Sequence, residues 1–189
     1  MNNKSLLIVL SGPSGVGKGT VCKKLLSENP NIKLSVSATT RKPRSEDIDG
    51  VTYYFKTEDE FKKMIDNDEF MEWAVYNSKY YGTPKKPVYD CLEHGNDVIL
   101  EIDVQGALNL KNKYPDAVYI FIAPENTEVL YDRLRNRGTE SEEEIERRVK
   151  AAQWELGQKD KYDHIVINKV VEDAADDIIN IINTRRNAL

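Results

Sequence analysis

The sequence predicts an α/β fold built on a parallel sheet, and three observations carry that prediction. Short apolar runs, Leu6-Leu7-Ile8-Val9-Leu10, Val98-Ile99-Leu100, Val118-Tyr119-Ile120-Phe121-Ile122 and Ile165-Val166-Ile167, have the length and composition of strands buried on both faces, as a parallel sheet requires. Helical apolar spacing recurs between them. The glycine-rich run Gly12-Pro13-Ser14-Gly15-Val16-Gly17-Lys18-Gly19-Thr20 joins the first apolar run to the first helix pattern. That junction belongs at the carboxyl edge of such a sheet.

Val21, Leu25 and Leu26 mark the helix after the glycine-rich run. From Ser37 to Thr83 the alternation is interrupted by a polar stretch rich in Tyr, Arg and Glu. Within it, Thr57 and Glu60 have capping-box spacing and open a short helix with Phe61, Met64 and Ile65 on one side. Strand-like pieces flank it at Tyr53 to Phe55 and Met71 to Tyr76, so the stretch reads as an inserted lobe. Helices are expected over Lys85 to His94 and Val104 to Asn112. A second interruption, from about Asn126 to Gln158, reads as a helical hairpin. Leu130 and Leu134 mark its first helix, which stops at Gly138. A capping box at Ser141 and Glu144 opens its second, with Ile145, Val149, Ala152 and Leu156 on one face. The last helix aligns Ala174, Ile178, Ile181 and Ile182. Ser45 to Gly50 and Asn136 to Gly138 are expected as hinges or tips.

At 189 residues the chain is long enough for one substantial core with small inserted lobes. A net charge of −5 provides no global basic field, so nucleic acid is not an expected partner. The two cysteines, Cys22 and Cys91, lie far apart without CxxC spacing, and the two histidines, His94 and His164, form no ligand pair. Neither a zinc site nor a disulfide framework is expected, which fits a reducing compartment. The first apolar run breaks at Ser11-Gly12-Pro13, too early for a secretion signal, and no run approaches a membrane span. The cytoplasm is the expected location, with no membrane partner.

The glycine-rich run has the form of a phosphate-binding loop. Its glycines let backbone N–H groups approach phosphate oxygens, the following helix adds its positive end, and Lys18 can reach terminal phosphates as a mobile charge. The general motif places Ser or Thr after the lysine as a Mg²⁺ ligand, but Gly19 stands there. Either Thr20 substitutes for it, or Mg²⁺ is held by nucleotide oxygens and water. Glu101 and Asp103 close the second apolar strand. They are read as pointing the same way along that strand, where acids commonly hold Mg²⁺ through water. Arg41 and Arg44, three apart around Pro43, have the planar forks that suit a second phosphate, with Tyr53 and Tyr81 as phenol donors. Arg133, Arg135 and Arg137 crowd one helix end, and Arg147 and Arg148 follow in the next. Such arginines also complement a helix dipole. Beside two phosphate sites, Arg137 and Arg148, with Arg133 in support, are read as stabilising the charge gathered between two nucleotides.

The ordered landmarks resemble the guanylate kinase family over nearly the whole chain. They run from the phosphate loop through Ser37 to Arg44, Gly50-Val51-Thr52-Tyr53, Phe70-Met71-Glu72-Trp73, Tyr80-Tyr81-Gly82-Thr83, Ile102-Asp103-Val104-Gln105-Gly106 and Arg137-Gly138-Thr139-Glu140. The resemblance implies a P-loop NTPase-type three-layer fold and the reaction ATP + GMP ⇌ ADP + GDP, with dGMP as a further acceptor. It implies a core (1–36, 85–125, 159–189), a GMP-binding lobe (37–84) and a helical lid (126–158). Arg41, Arg44, Tyr53 and Tyr81 would hold the GMP phosphate, and Ser37, Glu72 and Thr83 the guanine edge, with Asp103 nearby. Thr83 stands where many members carry Ser. Asn168 would lie near the ATP base, Arg133 and Arg137 would join the loop on ATP, and Lys18, Arg41, Arg137 and Arg148 would be catalytic.

Glu72 has a physical case of its own. Guanine offers adjacent N1–H and 2-amino donors that one carboxylate accepts together, and adenine has no such pair. Two other readings remain at this point. A noncatalytic peptide-binding module would be expected to have a damaged loop, whereas Lys18 and its glycines are intact. A kinase for another phosphorylated acceptor is separated by an assay across monophosphates. A monomer and a homodimer are both compatible with the sequence.

Overall fold

The computed structural model describes residues 5–76, 78–135 and 142–188. Strand β1 (Leu7–Ser11) leads through the glycine-rich loop into α1 (Lys18–Glu28). Around β1 a five-stranded sheet assembles from β2 (Ile32–Leu34), β7 (Asp97–Glu101), β8 (Val118–Pro124) and β9 (His164–Asn168). The order is β2-β7-β1-β8-β9 and every pairing is parallel. Alternation along each inner strand divides the core in two. Ile8, Leu10, Ile99, Ile120 and Ile122 face one side, with Val21 and Leu25 of α1 and Ile178 and Ile182 of α7 (Val171–Asn187). Val9, Val98, Leu100, Tyr119 and Phe121 face the other, with Val88 of α3 (Lys85–Glu93) and Ala107 and Leu110 of α4 (Val104–Lys111).

The expectation of burial on both faces fails for β9. Val166 is buried, but Ile165 and Ile167 are 44% and 48% exposed. The strand is an edge, α7 covers one of its faces, and α3 and α4 pack on β7 and β1 instead.

The inserted lobe is a second sheet of order β4-β3-β6-β5, made of β3 (Ala38–Thr39), β4 (Tyr54–Phe55), β5 (Phe70–Tyr76) and β6 (Lys79–Pro84). It packs on α2 (Glu58–Asp66), whose capping box is as the sequence predicts: Glu60 N–H donates to Thr57 Oγ1 at 3.2 Å, and Thr57 N–H to Glu60 Oε2 at 2.7 Å. Ala38, Phe61 and Phe70 form a small cluster of their own, with the two phenylalanine rings stacked 4.4 Å apart. A bulge in β5 falls between Phe70 and Glu72. Without it, alternation would turn both toward the same side. With it, Phe70 enters the lobe cluster, Met71 the main core and Glu72 the cavity described below.

The second interruption is a pair of helices, α5 (Thr127–Arg135) and α6 (Glu142–Leu156). The capping box at Ser141 and Glu144 and the stop at Gly138 lie outside the described residues and side chains.

Candidate active site

A cavity of about 370 Å³ opens where loop, lobe and α6 meet. Its described lining brings together Gly12, Ser14 and Lys18 of the loop, Ser37, Tyr53, Glu72 and Tyr81 of the lobe, Glu101 and Asp103 of the sheet edge, and Arg148 of α6. Residues spread over most of the chain therefore converge on one space.

The loop is shaped by close packing. Gly12 has φ +153°, and a Cβ there would lie 2.2 Å from the Ile122 carbonyl oxygen. Gly12→Ala is therefore expected to displace the loop, with nucleotide affinity down at least tenfold and a melting temperature several degrees lower. Calorimetric titration with ADP and a thermal melt check both. Helix α1 begins without a side-chain cap or a first-turn acid, so no side chain of its own first turn competes with an anion for the Lys18 and Gly19 N–H groups, while the Thr20 N–H donates to the Gly17 carbonyl at 3.1 Å. Lys18 Nζ donates to the carbonyls of Gly12 at 2.7 Å and Pro13 at 3.3 Å. Burial lowers its pKa, while Glu101, Glu155 and Asp103 pull it back up. Asn168 is buried and donates from Nδ2 to the Val16 carbonyl at 2.8 Å, so it braces the loop from β9.

The sheet edge corrects one expectation. Strand β7 ends at Glu101, and Asp103 is the N-cap of α4, accepting the Gly106 N–H at 2.6 Å. Both acids reach the cavity, but not through strand alternation. Thr20 is exposed and is not among the described lining residues. A Cβ at Gly19 would lie 3.7 Å from Glu101 Oε1, so the position that carries a hydroxyl in the general motif faces this acid.

In the lobe, Glu72 is 8% exposed, and its Oε1 accepts the Thr83 hydroxyl at 2.7 Å. Burial pushes its pKa up to about 7, with the Thr83 bond opposing and the charge of Asp103 adding. Helix α4 approaches closely enough that a Cβ at Gly106 would lie 2.9 Å from Glu72 Oε2. The Arg41 guanidinium stands over the rings of Tyr53 and Phe55, 5.3 and 5.7 Å from their centroids. Arg44 is exposed, and neither arginine is among the described lining residues. The Arg133 side chain and Arg137 lie outside the described residues, so the arginine group of the hairpin is represented here by Arg148.

Two residues escape the sequence reading. Asp47, in the segment read as a tip, accepts from Arg41 Nη1 at 2.8 Å and from the Arg44 N–H at 2.7 Å. The Arg41 bond holds its carboxyl below the usual range. Glu155 lines the cavity and accepts the Ser14 N–H at 3.1 Å. Its only trace in the sequence is its place two helical turns after Arg148.

Comparison with known proteins agrees with this arrangement. A family model described as guanylate kinase matches residues 4–185. The chain is 54% identical over 182 residues to a guanylate kinase of Caldanaerobacter subterraneus subsp. tengcongensis, covering 96% of this chain and 88% of that one. It is 53% identical over 184 residues to a guanylate kinase of Onion yellows phytoplasma, covering 96% and 87%. The crystal structure of guanylate kinase from Anaplasma phagocytophilum superposes with a TM-score of 0.80 at 33% identity, covering 98% of this chain and 88% of that one. A parallel sheet edged by an intact phosphate loop, an inserted lobe with a buried acid and a family match over almost the full length have one reading: the chain belongs to the guanylate kinase family.

Proposed function

We propose that this chain transfers the γ-phosphoryl group of ATP to GMP, with Glu72 choosing the acceptor base. The observation that carries the proposal is one cavity holding both an intact phosphate loop and a buried carboxylate. Ionised Glu72 accepts guanine N1–H and the 2-amino group, while Thr83 and Ser37 fix and extend that edge. Tyr53, Tyr81, Arg41 and Arg44 take the acceptor phosphate, Asp47 releasing Arg41 to it. An acceptor phosphate oxygen bonds to the γ-phosphorus, and the bond from that phosphorus to the ADP oxygen breaks. Lys18, Arg148 and Arg137 offset the charge that spreads over the transferring group, and Arg133 supports them. None of these contacts requires the ribose 2′-hydroxyl, so dGMP is an expected second acceptor.

The donor set fits Mg²⁺ bound largely by nucleotide oxygens and water. Glu101 and Asp103 supply hard oxygen donors to the cavity, Gly19 has no hydroxyl, and the described residues contain no group of three candidate ligand side chains. Glu101 and Asp103 would hold the ion through water. When bound with ATP it supplies charge neutralisation on the phosphates.

In this reading residues 37–84 are the acceptor lobe and 126–158 the lid, and their closure on 1–36, 85–125 and 159–189 excludes water as a competing acceptor. No described helix is long and apolar enough to cross a membrane. We place the enzyme in the cytoplasm, as a monomer or homodimer.

An assay coupled to ADP release, run with GMP, dGMP, AMP, CMP and UMP, tests the assignment. GMP is expected to give the highest kcat/KM. Absence of turnover with GMP in protein that binds ADP would refute it. Acidity provides a further check. Base pairing needs the ionised carboxylate, and the Glu72 pKa of about 7 leaves that form progressively depleted below neutrality. KM for GMP is expected to rise about tenfold from pH 8 to pH 6. Titration of the GMP phosphate is common to all variants, so the part due to Glu72 is the part missing from Glu72→Gln.

A further inference from the structure

Helix α6 reaches the phosphate loop with two side chains. Arg148 donates from Nη2 to the Ser14 hydroxyl at 2.9 Å, and Glu155 Oε2 accepts the Ser14 backbone N–H at 3.1 Å. A phosphate loop works by turning its N–H groups toward the anionic oxygens of a nucleotide. Here one of those donors is already engaged by an anion of the same chain. Glu155 shares the cavity with Lys18 and Glu101. Burial raises its pKa, and the Ser14 N–H and Lys18 act in the opposite sense, so the loop favours its charged form as it would favour a phosphate.

We propose that Glu155 is an internal substitute for a donor phosphate: it docks α6 on the loop through the Ser14 amide, and ATP occupies the loop by displacing it. This rests on the loop being the donor site, as assigned above. One amide proton cannot serve two anions at full strength, so donor binding and the Glu155–Ser14 bond oppose each other. Glu155 weakens donor binding twice, by competing for the amide and by placing negative charge beside incoming phosphates. Once displaced, it leaves α6 anchored by Ala152, Val149 and Leu156 in the core, with Arg148 still beside the loop. Glu155 is thus a positioning residue that couples entry of ATP to the contact between α6 and the loop.

Calorimetric titration with ADP, and separately with inorganic tripolyphosphate, on wild type, Glu155→Gln and Glu155→Ala tests the proposal. Loss of a competing hydrogen bond corresponds to roughly a three- to tenfold gain. Both probes are expected to bind Glu155→Ala tighter by that factor, and Glu155→Gln, which keeps an acceptor oxygen without the charge, by less. GMP added alone is expected to bind all three equally. In ¹⁵N-edited spectra, the Ser14 amide resonance of ligand-free protein is expected to differ between wild type and Glu155→Ala. A Glu155 that merely props the loop predicts weaker ADP binding in Glu155→Ala; that result, or unchanged affinity, overturns the proposal. Should Glu155→Ala fail to fold, the isosteric Glu155→Gln carries the same comparison. Wild-type turnover with GMP, measured alongside, separates the two failures. No turnover sinks the functional assignment, whereas normal turnover with unaltered ADP affinity in the variants sinks only this inference.

Discussion

Lys18→Ala is expected to lower kcat by about two to three orders of magnitude or more while leaving the fold standing. The ammonium is the loop's only side-chain charge, and it is held at the cavity floor by bonds to the Gly12 and Pro13 carbonyls. It can exchange those bonds for phosphate oxygens without moving the backbone. Burial lowers its pKa, which means the folded protein holds this cation at a cost in stability. Relief of that cost offsets part of what the fold loses with the Gly12 and Pro13 bonds, so the protein is expected to remain folded. A coupled assay gives kcat, and a circular-dichroism melt shows whether the protein remains folded. Turnover within a few-fold of wild type would remove Lys18 from the chemistry.

Glu72→Gln is expected to reduce kcat/KM for GMP by about a hundredfold or more, with KM for ATP little changed. Glutamine fills the same space and can still accept the Thr83 hydroxyl, but its NH₂ group faces a guanine donor and leaves both unpaired. The same substitution is expected to stabilise the ligand-free protein above neutral pH. The Glu72 pKa rises from 4.5 unfolded to about 7 folded, so its contribution to stability is full below 4.5 and is lost as pH rises through 7. At pH 8 the ionised side chain costs on the order of 1–3 kcal/mol, and a neutral amide removes that cost. The melting temperature at pH 8 should rise by a few degrees, and the gain should vanish near pH 4. Equal loss of GMP and ATP affinity would show that position 72 does not read the acceptor base.

Features set by local chemistry were legible before folding. The junction of β1, loop and α1 follows from an apolar run meeting glycines and a lysine. The cap of α2 follows from Thr57 and Glu60, whereas Asn168 entered only through the family resemblance, as a residue near the ATP base, and its contact with Val16 was not foreseen. What escaped depends on partners distant in sequence. Strands β2 and β3 are two or three residues long, too short for alternation to register. The bulge that separates Phe70 from Glu72 has no sequence mark. Asp103 looked like a strand residue because a chain leaving a sheet edge and a chain capping a helix share the same acids. Ile165 and Ile167 are as apolar as any core strand, so pattern alone could not tell an edge from an interior. Glu155 acts through a backbone N–H, a group every residue but proline carries, and Asp47 meets Arg41 only because the loop between them folds back, so no regular spacing of side chains reveals either.

Three consecutive residues, Phe70, Met71 and Glu72, enter three different surroundings, and the first belongs to a cluster that does not merge with the main core. So small an apolar nucleus melts locally at lower cost than the five-stranded sheet behind it. On the proposed assignment of the lobe to the acceptor, warming is expected to erode recognition of the monophosphate before the grip on the triphosphate. In that half-melted form, ATP is still held but water is the remaining nucleophile. Heat damage in this enzyme would then announce itself as futile ATP hydrolysis before it ends in silence.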